Sequence, residues 1–160
     1  MGTIARSATV DVVVDAPPTA VWAVVGDPTR TGEWSHECTT VEFVDGATTA
    51  RPGARFRGRN RVGRNRWSRT SEIVAVEEGR SISWRTIPSP LHNDSTTWTI
   101  SVEPADGAGA TRIVQRYEIT KLSAVMDRLI WQFVPVHRDR RDALRDDLRR
   151  IGAVAATLPA

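Results

Sequence analysis

Residues 8–14 read A-T-V-D-V-V-V, a β-branched run that predicts a first strand. The period then changes. In A-P-P-T-A-V-W-A-V-V the prolines suit the first turn of a helix, which Gly26 and Pro28 close, and residues 28–34 predict a second, shorter one. Six strand-like runs follow, near residues 40–44, 54–62, 66–76, 81–87, 95–102 and 111–120. Short links such as E-E-G-R and A-D-G-A-G-A join several of them, which predicts antiparallel hairpins and a meander. From Ser123 apolar residues return at helical spacing, with Met126, Ile130, Phe133, Leu144, Leu148, Ile151 and Ala155 on one stripe. Pro135 should kink or restart that helix. On its other side Arg138, Asp142, Arg145, Asp146 and Arg149 interleave charges at i,i+3 and i,i+4 spacing, the pattern of a solvated face.

One strand, two short helices, six strands and a long amphipathic C-terminal helix make an α+β chain, a curved antiparallel sheet gripping a helix. At 160 residues the chain is read as a single domain, 1–160, long enough to bury roughly two-thirds of its unfolded surface in one core. Its 40% hydrophobic and 26% charged content exclude disordered and fibrous classes. No apolar run approaches the length of a membrane span. The first residues lack a basic n-region, and Arg6 stands where a myristoylation signal needs Ser or Thr, so a cytoplasmic location is expected. Cys38 is the only cysteine, which leaves no partner for an intrachain disulfide.

The net charge of +3 comes almost wholly from arginine, since Lys121 is the sole lysine. Arg55, Arg57, Arg59 and Arg61 alternate with Phe56, Gly58 and Asn60, a period of two that gives a strand one charged and one enclosed face. A basic stripe of this kind suits a phosphate backbone or a solvated outer face. No nucleic-acid motif accompanies it, so no nucleic-acid partner is expected.

The order of elements carries a resemblance. V-D-A-P-P-T-A-V-W-A-V-V-G-D-P-T-R-T-G-E-W follows the first strand, W-S-R-T-S-E-I-V-A-V-E-E-G-R-S-I-S-W lies in the middle, and G-A-T-R-I-V opens the last strand. In order and spacing the whole chain resembles the START-like superfamily, nearest to the polyketide cyclase/dehydrase and lipid-transport group of the SRPBCC superfamily. That resemblance implies a helix-grip fold with a deep, mostly apolar cavity between the concave face of the sheet and the long helix. It implies no single chemistry.

Strand alternation sends Ile82, Trp84 and Thr86 to one face, as it does Thr96, Trp98, Ile100 and Val102, and Ile113, Gln115, Tyr117 and Ile119. With Phe56, Asn60 and Trp67 they form a wall of aromatics broken by a few hydrogen-bonding groups, which either lines a pocket or fills a solid core. The candidate ligand-binding residues are therefore Trp34, Phe56, Asn60, Trp67, Trp84, Trp98, Tyr117, Met126, Ile130, Phe133 and His137, around a small hydrophobic molecule such as a lipid, polyketide-like or aromatic compound. A cyclase or dehydratase acting in the same cavity is the alternative. The resemblance implies that Trp34, on the short second helix, lies near the cavity mouth. The stretch H-E-C at residues 36–38 points to alternate faces of an extended chain, so it cannot close on one metal ion, and His36 and Glu37 are expected to cap or bond locally. A continuous helix would bring His137 inward, either as a buried core group or as a general acid or base. No inward carboxylate is evident to assist it, no catalytic motif is identifiable, and no cofactor or metal is expected.

Overall fold

The computed structural model describes residues 2–159. In chain order it contains β1 (Ser7–Val14), α1 (Pro18–Val25), a 3-10 helix (Pro28–Glu33), β2 (Cys38–Val44), β3 (Arg55–Val62), β4 (Asn65–Glu77) and β5 (Ser81–Thr86). Then come β6 (Ser95–Pro104), β7 (Thr111–Lys121), α2 (Ala124–Phe133), a 3-10 turn (Pro135–His137) and α3 (Arg141–Ala156). Seven antiparallel strands form one sheet in the order β1-β7-β6-β5-β4-β3-β2, the expected meander with the first strand laid beside the last. Tight turns make this possible: Gly63 (φ 58°) and Gly79 (φ 76°) adopt the left-handed backbone that closes the β3–β4 and β4–β5 hairpins.

Register aligns the inward residues in rows. Ile82 pairs with Ile100 and Ile100 with Gln115, while Trp84 pairs with Trp98 and Trp98 with Tyr117. In β4 the register shifts between Ile73 and Ala75, well past Trp67, so Trp67 keeps its inward facing opposite Asn60. Arg55, Arg57, Arg59 and Arg61 all point to solvent from the convex face.

The predicted long C-terminal helix is in fact two. Pro135 lacks the N–H that would continue the helical ladder and opens a 3-10 turn instead. The two pieces pack differently. α3 lies on β1 and α1 and buries Leu144, Leu148, Ile151, Gly152 and Ala155. Its approach to β1 is close because Gly152 has no side chain: a Cβ there would sit 2.6 Å from the Cβ of Val14. α2 is capped by Ser123, whose hydroxyl accepts from the Met126 N–H (3.2 Å), but it buries only Asp127. That carboxylate accepts from the backbone N–H of Ile4 (3.0 Å) and from Arg6 (2.9 Å), tying α2 to the segment before β1. Phe133, assigned to the buried stripe from its spacing, is 61% exposed, because the stripe continues through a break that rotates one helix against the other. The result is the helix-grip fold, with α3 held in the curve of the sheet and α2 standing off from it.

Candidate functional site

Between the concave face and the helical segment 126–147 lies a cavity of about 480 Å³. Ten of the eleven residues singled out above line it: Trp34, Phe56, Asn60, Trp67, Trp84 and Trp98 from the sheet side and the loop before β2, and Met126, Ile130, Phe133 and His137 from the helical side. The rings brace one another. Trp84 stacks on Trp98 with centroids 6.5 Å apart and planes 13° apart, and Phe56 meets Trp84 edge-on at 6.4 Å. Tyr117 is the exception: only 1% exposed, it packs behind Trp98 at 5.2 Å and donates its hydroxyl to the Ala5 carbonyl (3.1 Å). Its polar end thus serves the core, outside the lining.

The lining residues that also face solvent are Asn65, Leu129 and Phe133, so the mouth lies between the β3–β4 hairpin and α2. It does not lie at Trp34, which is 5% exposed and packed into the core.

The polar groups depart furthest from expectation. Glu37, Asp94 and Asp147 all line the cavity, which overturns the reading that no carboxylate faces inward. His36 and Glu37 bond across the molecule, not locally. His137 Nε2 lies 2.6 Å from Glu37 Oε2, with Arg140 3.9 Å from the same oxygen. His36 Nδ1 lies 2.7 Å from Asp147 Oδ2, and the Asp147 Oδ1 accepts from the His36 backbone N–H (2.8 Å) and from Arg150 (2.6 Å). Both side chains reach inward because the Ser35 hydroxyl accepts from the N–H groups of Glu37 and Cys38, a turn in place of an extended chain. Opposite them, Asp94 clamps Arg69 through both carboxylate oxygens (3.0 and 2.9 Å) and its carbonyl (3.0 Å).

These contacts set protonation. Burial would raise the Glu37 carboxyl, but the His137 hydrogen bond and the charge of Arg140 outweigh it and hold the group at about 2. Burial lowers His137 despite the raising effect of Glu37, so at neutral pH the ring is neutral and donates from Nε2, leaving the Nδ1 lone pair. Burial, helped by Glu37, pushes the Cys38 thiol up to about 11, so it is not a nucleophile near neutral pH. Among the described residues, no three His, Cys, Asp or Glu side chains are arranged to hold a metal ion.

Among the described residues four buried side-chain atoms on the cavity lining have no hydrogen-bond partner within the protein, two of them being His36 Nε2 and Arg69 Nε. Gln115, 3% exposed on the cavity floor, leaves its Oε1 unbonded, and Trp34 leaves its indole N–H unbonded. An unpaired buried polar group costs about 1–3 kcal/mol unless water or another molecule supplies the bond.

The sequence held one signal for the missed residues. His137, Arg140, Leu144, Asp147 and Ile151 recur at three- and four-residue steps, so Arg140 and Asp147 interrupt the apolar stripe at inward positions.

Among solved structures, the fold is similar to that of the ZhuI aromatase/cyclase from Streptomyces sp. R1128, with a TM-score of 0.70 and 17% identity over 94% of this chain and 93% of that one. It is similar also to the di-domain ARO/CYC BexL from the BE-7585A biosynthetic pathway (TM-score 0.66, 18% identity, 95% of this chain and 47% of that one). The major latex-like protein 151 of Panax ginseng shares the fold as well (TM-score 0.62, 15% identity, 97% of this chain and all of that one, 100%). At these identities the likeness is one of fold. No curated protein matches the sequence. The family model described as polyketide cyclase / dehydrase and lipid transport matches residues 5–153, and with that span covered the chain belongs to this family.

Proposed function

We propose that the protein binds a small hydrophobic molecule, aromatic or polyketide-like or a lipid, in the cavity between the sheet and α2. The observation that carries this reading is the 480 Å³ cavity itself, walled by Trp67, Trp84 and Trp98 and floored by the unpaired Gln115 amide. A space of several hundred Å³ with a mainly apolar wall and a few polar groups is what a small-molecule site requires. Family membership and the aromatase/cyclase among the structural neighbours support the same ligand class.

A second reading, catalysis of cyclisation or dehydration in this cavity, is favoured by the His137–Glu37 pair. A neutral imidazole whose tautomer a carboxylate fixes can accept a proton at Nδ1 and return it, the work of a general base and acid.

One experiment addresses both. A panel of lipids and hydroxylated or keto-bearing aromatic compounds is screened by thermal shift and, for any that binds, by product formation. A ligand at about 100 times its Kd should stabilise the protein by roughly 2.7 kcal/mol, or about 5–10 °C for a chain of this size. Trp98→Ala should lose most of that shift. His137→Leu should keep binding if the protein is a carrier, and should lose about 10²–10⁴ in rate if it is an enzyme. A panel that moves no melting curve removes the proposal.

A further inference from the structure

Among the described residues six large hydrophobic side chains are exposed, and four of them surround the cavity mouth. Val125 (72% exposed), Leu129 (46%) and Phe133 (61%) follow one another at four-residue steps on α2, where Leu129 and Phe133 also line the cavity. Leu91 (82%) stands on the β5–β6 loop, beside His92, which lines the cavity from that side. The other two, Val13 and Val74, sit singly on strands of the sheet. Isolated exposed apolar groups need no explanation, but a stripe of them gathered at one opening does.

The exposed charges at the tip of the β3–β4 hairpin and on α2 have one sign. From residue 46 to residue 71 the chain has no Asp or Glu, and the β3–β4 hairpin that forms one rim carries Arg64 exposed in its turn and the paired Arg61 and Arg66 exposed on its convex side. Arg128 lies exposed on α2, whose only acidic residue, Asp127, is buried and bound to Arg6. Among the described residues none of Arg61, Arg64, Arg66 and Arg128 has an ion-pair partner. On α3, by contrast, Arg145 and Arg149 are each paired to an aspartate one turn away.

From this juxtaposition we infer that the cavity mouth docks on the surface of an anionic lipid bilayer. α2 lies along the interface with Val125, Leu129 and Phe133 among the acyl chains, and the hairpin arginines rest against the headgroups. A short helix with an apolar stripe and basic flanks binds such an interface by apolar burial together with attraction to anionic lipid. The exposed groups protrude from three separate elements around an opening, a shape suited to a soft, flat surface more than to a partner's helix. The placement has a consequence for traffic, since an apolar molecule in the outer acyl layer reaches the cavity past Leu129 and Phe133 without crossing water.

The test is flotation with vesicles of phosphatidylcholine alone and of phosphatidylcholine mixed with phosphatidylglycerol, at low and physiological salt. Binding to the anionic vesicles, weakened by salt and nearly absent with phosphatidylcholine alone, is expected. Arg64→Ser with Arg66→Ser should reduce partitioning about 25-fold, fivefold for each charge. Leu91→Ser with Val125→Ser should reduce it at least about tenfold. Neither Leu91 nor Val125 lines the cavity, so binding of an apolar fluorescent probe in vesicle-free buffer should be unchanged in that variant, which also shows that it is folded. The inference is overturned if anionic vesicles are not bound at low salt, or if both double variants bind as well as the parent. It is equally overturned if an acidic acyl-carrier-type protein is held by these residues while vesicles are ignored. Vesicle binding that survives in a protein taking up no apolar probe would sink the proposed ligand site and leave the docking surface standing.

Discussion

α3 buries Leu148 and Ile151 completely (0% exposed) against β1 and α1, whereas α2, with an apolar stripe of similar spacing, leaves Phe133 61% exposed. The difference comes from what each helix faces. α3 packs on β1 and α1, whose buried side chains Val10, Val14, Val21 and Val24 are aliphatic, and Gly152 lets the helix settle onto Val14. Across from α2 the sheet presents Trp67, Trp84 and Trp98, large rings that meet edge-on or stacked and hold the wall of a hollow. The segment at that end is anchored through ions and hydrogen bonds, Asp127 with Arg6 and His137 with Glu37, in place of close packing. One end of the grip is thus a core and the other a site, and helical amphipathicity alone does not tell them apart.

The comparison is broken most directly by truncation on each side. Leu148→Ala should cost about 2–5 kcal/mol, because it opens a void in a close-packed region. Trp98→Ala should cost less than about 3 kcal/mol despite the larger side chain, since one flank of the ring already borders the cavity. Urea unfolding with unchanged m-values measures both. Equal losses at the two positions would mean that the hollow end is packed like the other.

Acid should act on the ionic end. The folded-state value of His137 lies below its ordinary one, so the unfolded chain takes up a proton first and stability falls as the pH drops through about 6.5. Glu37 is held at about 2 against an ordinary 4.5, so its contribution is complete above about 4.5 and is lost as the pH falls towards 2. Its size is up to about 3 kcal/mol. The gap in unfolding free energy between the parent and Glu37→Gln should therefore narrow between about pH 4.5 and 2. A gap that stays constant across that window would show that Glu37 is not held ionised by His137 and Arg140.

The smallest effect belongs to the exposed stripe. Val125→Ser should change stability by no more than about 0.5 kcal/mol, as for a surface position. A loss well above 1 kcal/mol would place α2 against protein in solution and erase the contrast with α3.

What the sequence determined by itself follows from short-range rules. Alternation with period two and Gly- or Asp-containing links set seven strands and the order of β2 to β7 as a meander, since consecutive antiparallel strands pair through tight turns, whereas the place of β1 beside β7 is a long-range pairing. The same alternation chose Phe56, Trp67, Trp84 and Trp98 as inward, because a strand offers only two faces. Tertiary structure decided the rest. Tyr117 shares the face of Trp98 yet left the lining, because its hydroxyl found the Ala5 carbonyl, a partner 112 positions away in the chain. The break itself was legible at Pro135, but the angle between the two helices was not, and it turned Phe133 outward while still burying His137. Glu37 and Asp147 became cavity residues through partners 100 and 111 positions distant, the imidazoles of His137 and His36. A carboxylate is stable in an enclosed place only beside a donor or a cation, and which distant group will stand there is settled when the sheet curls and brings residues 36–37 against 137–147.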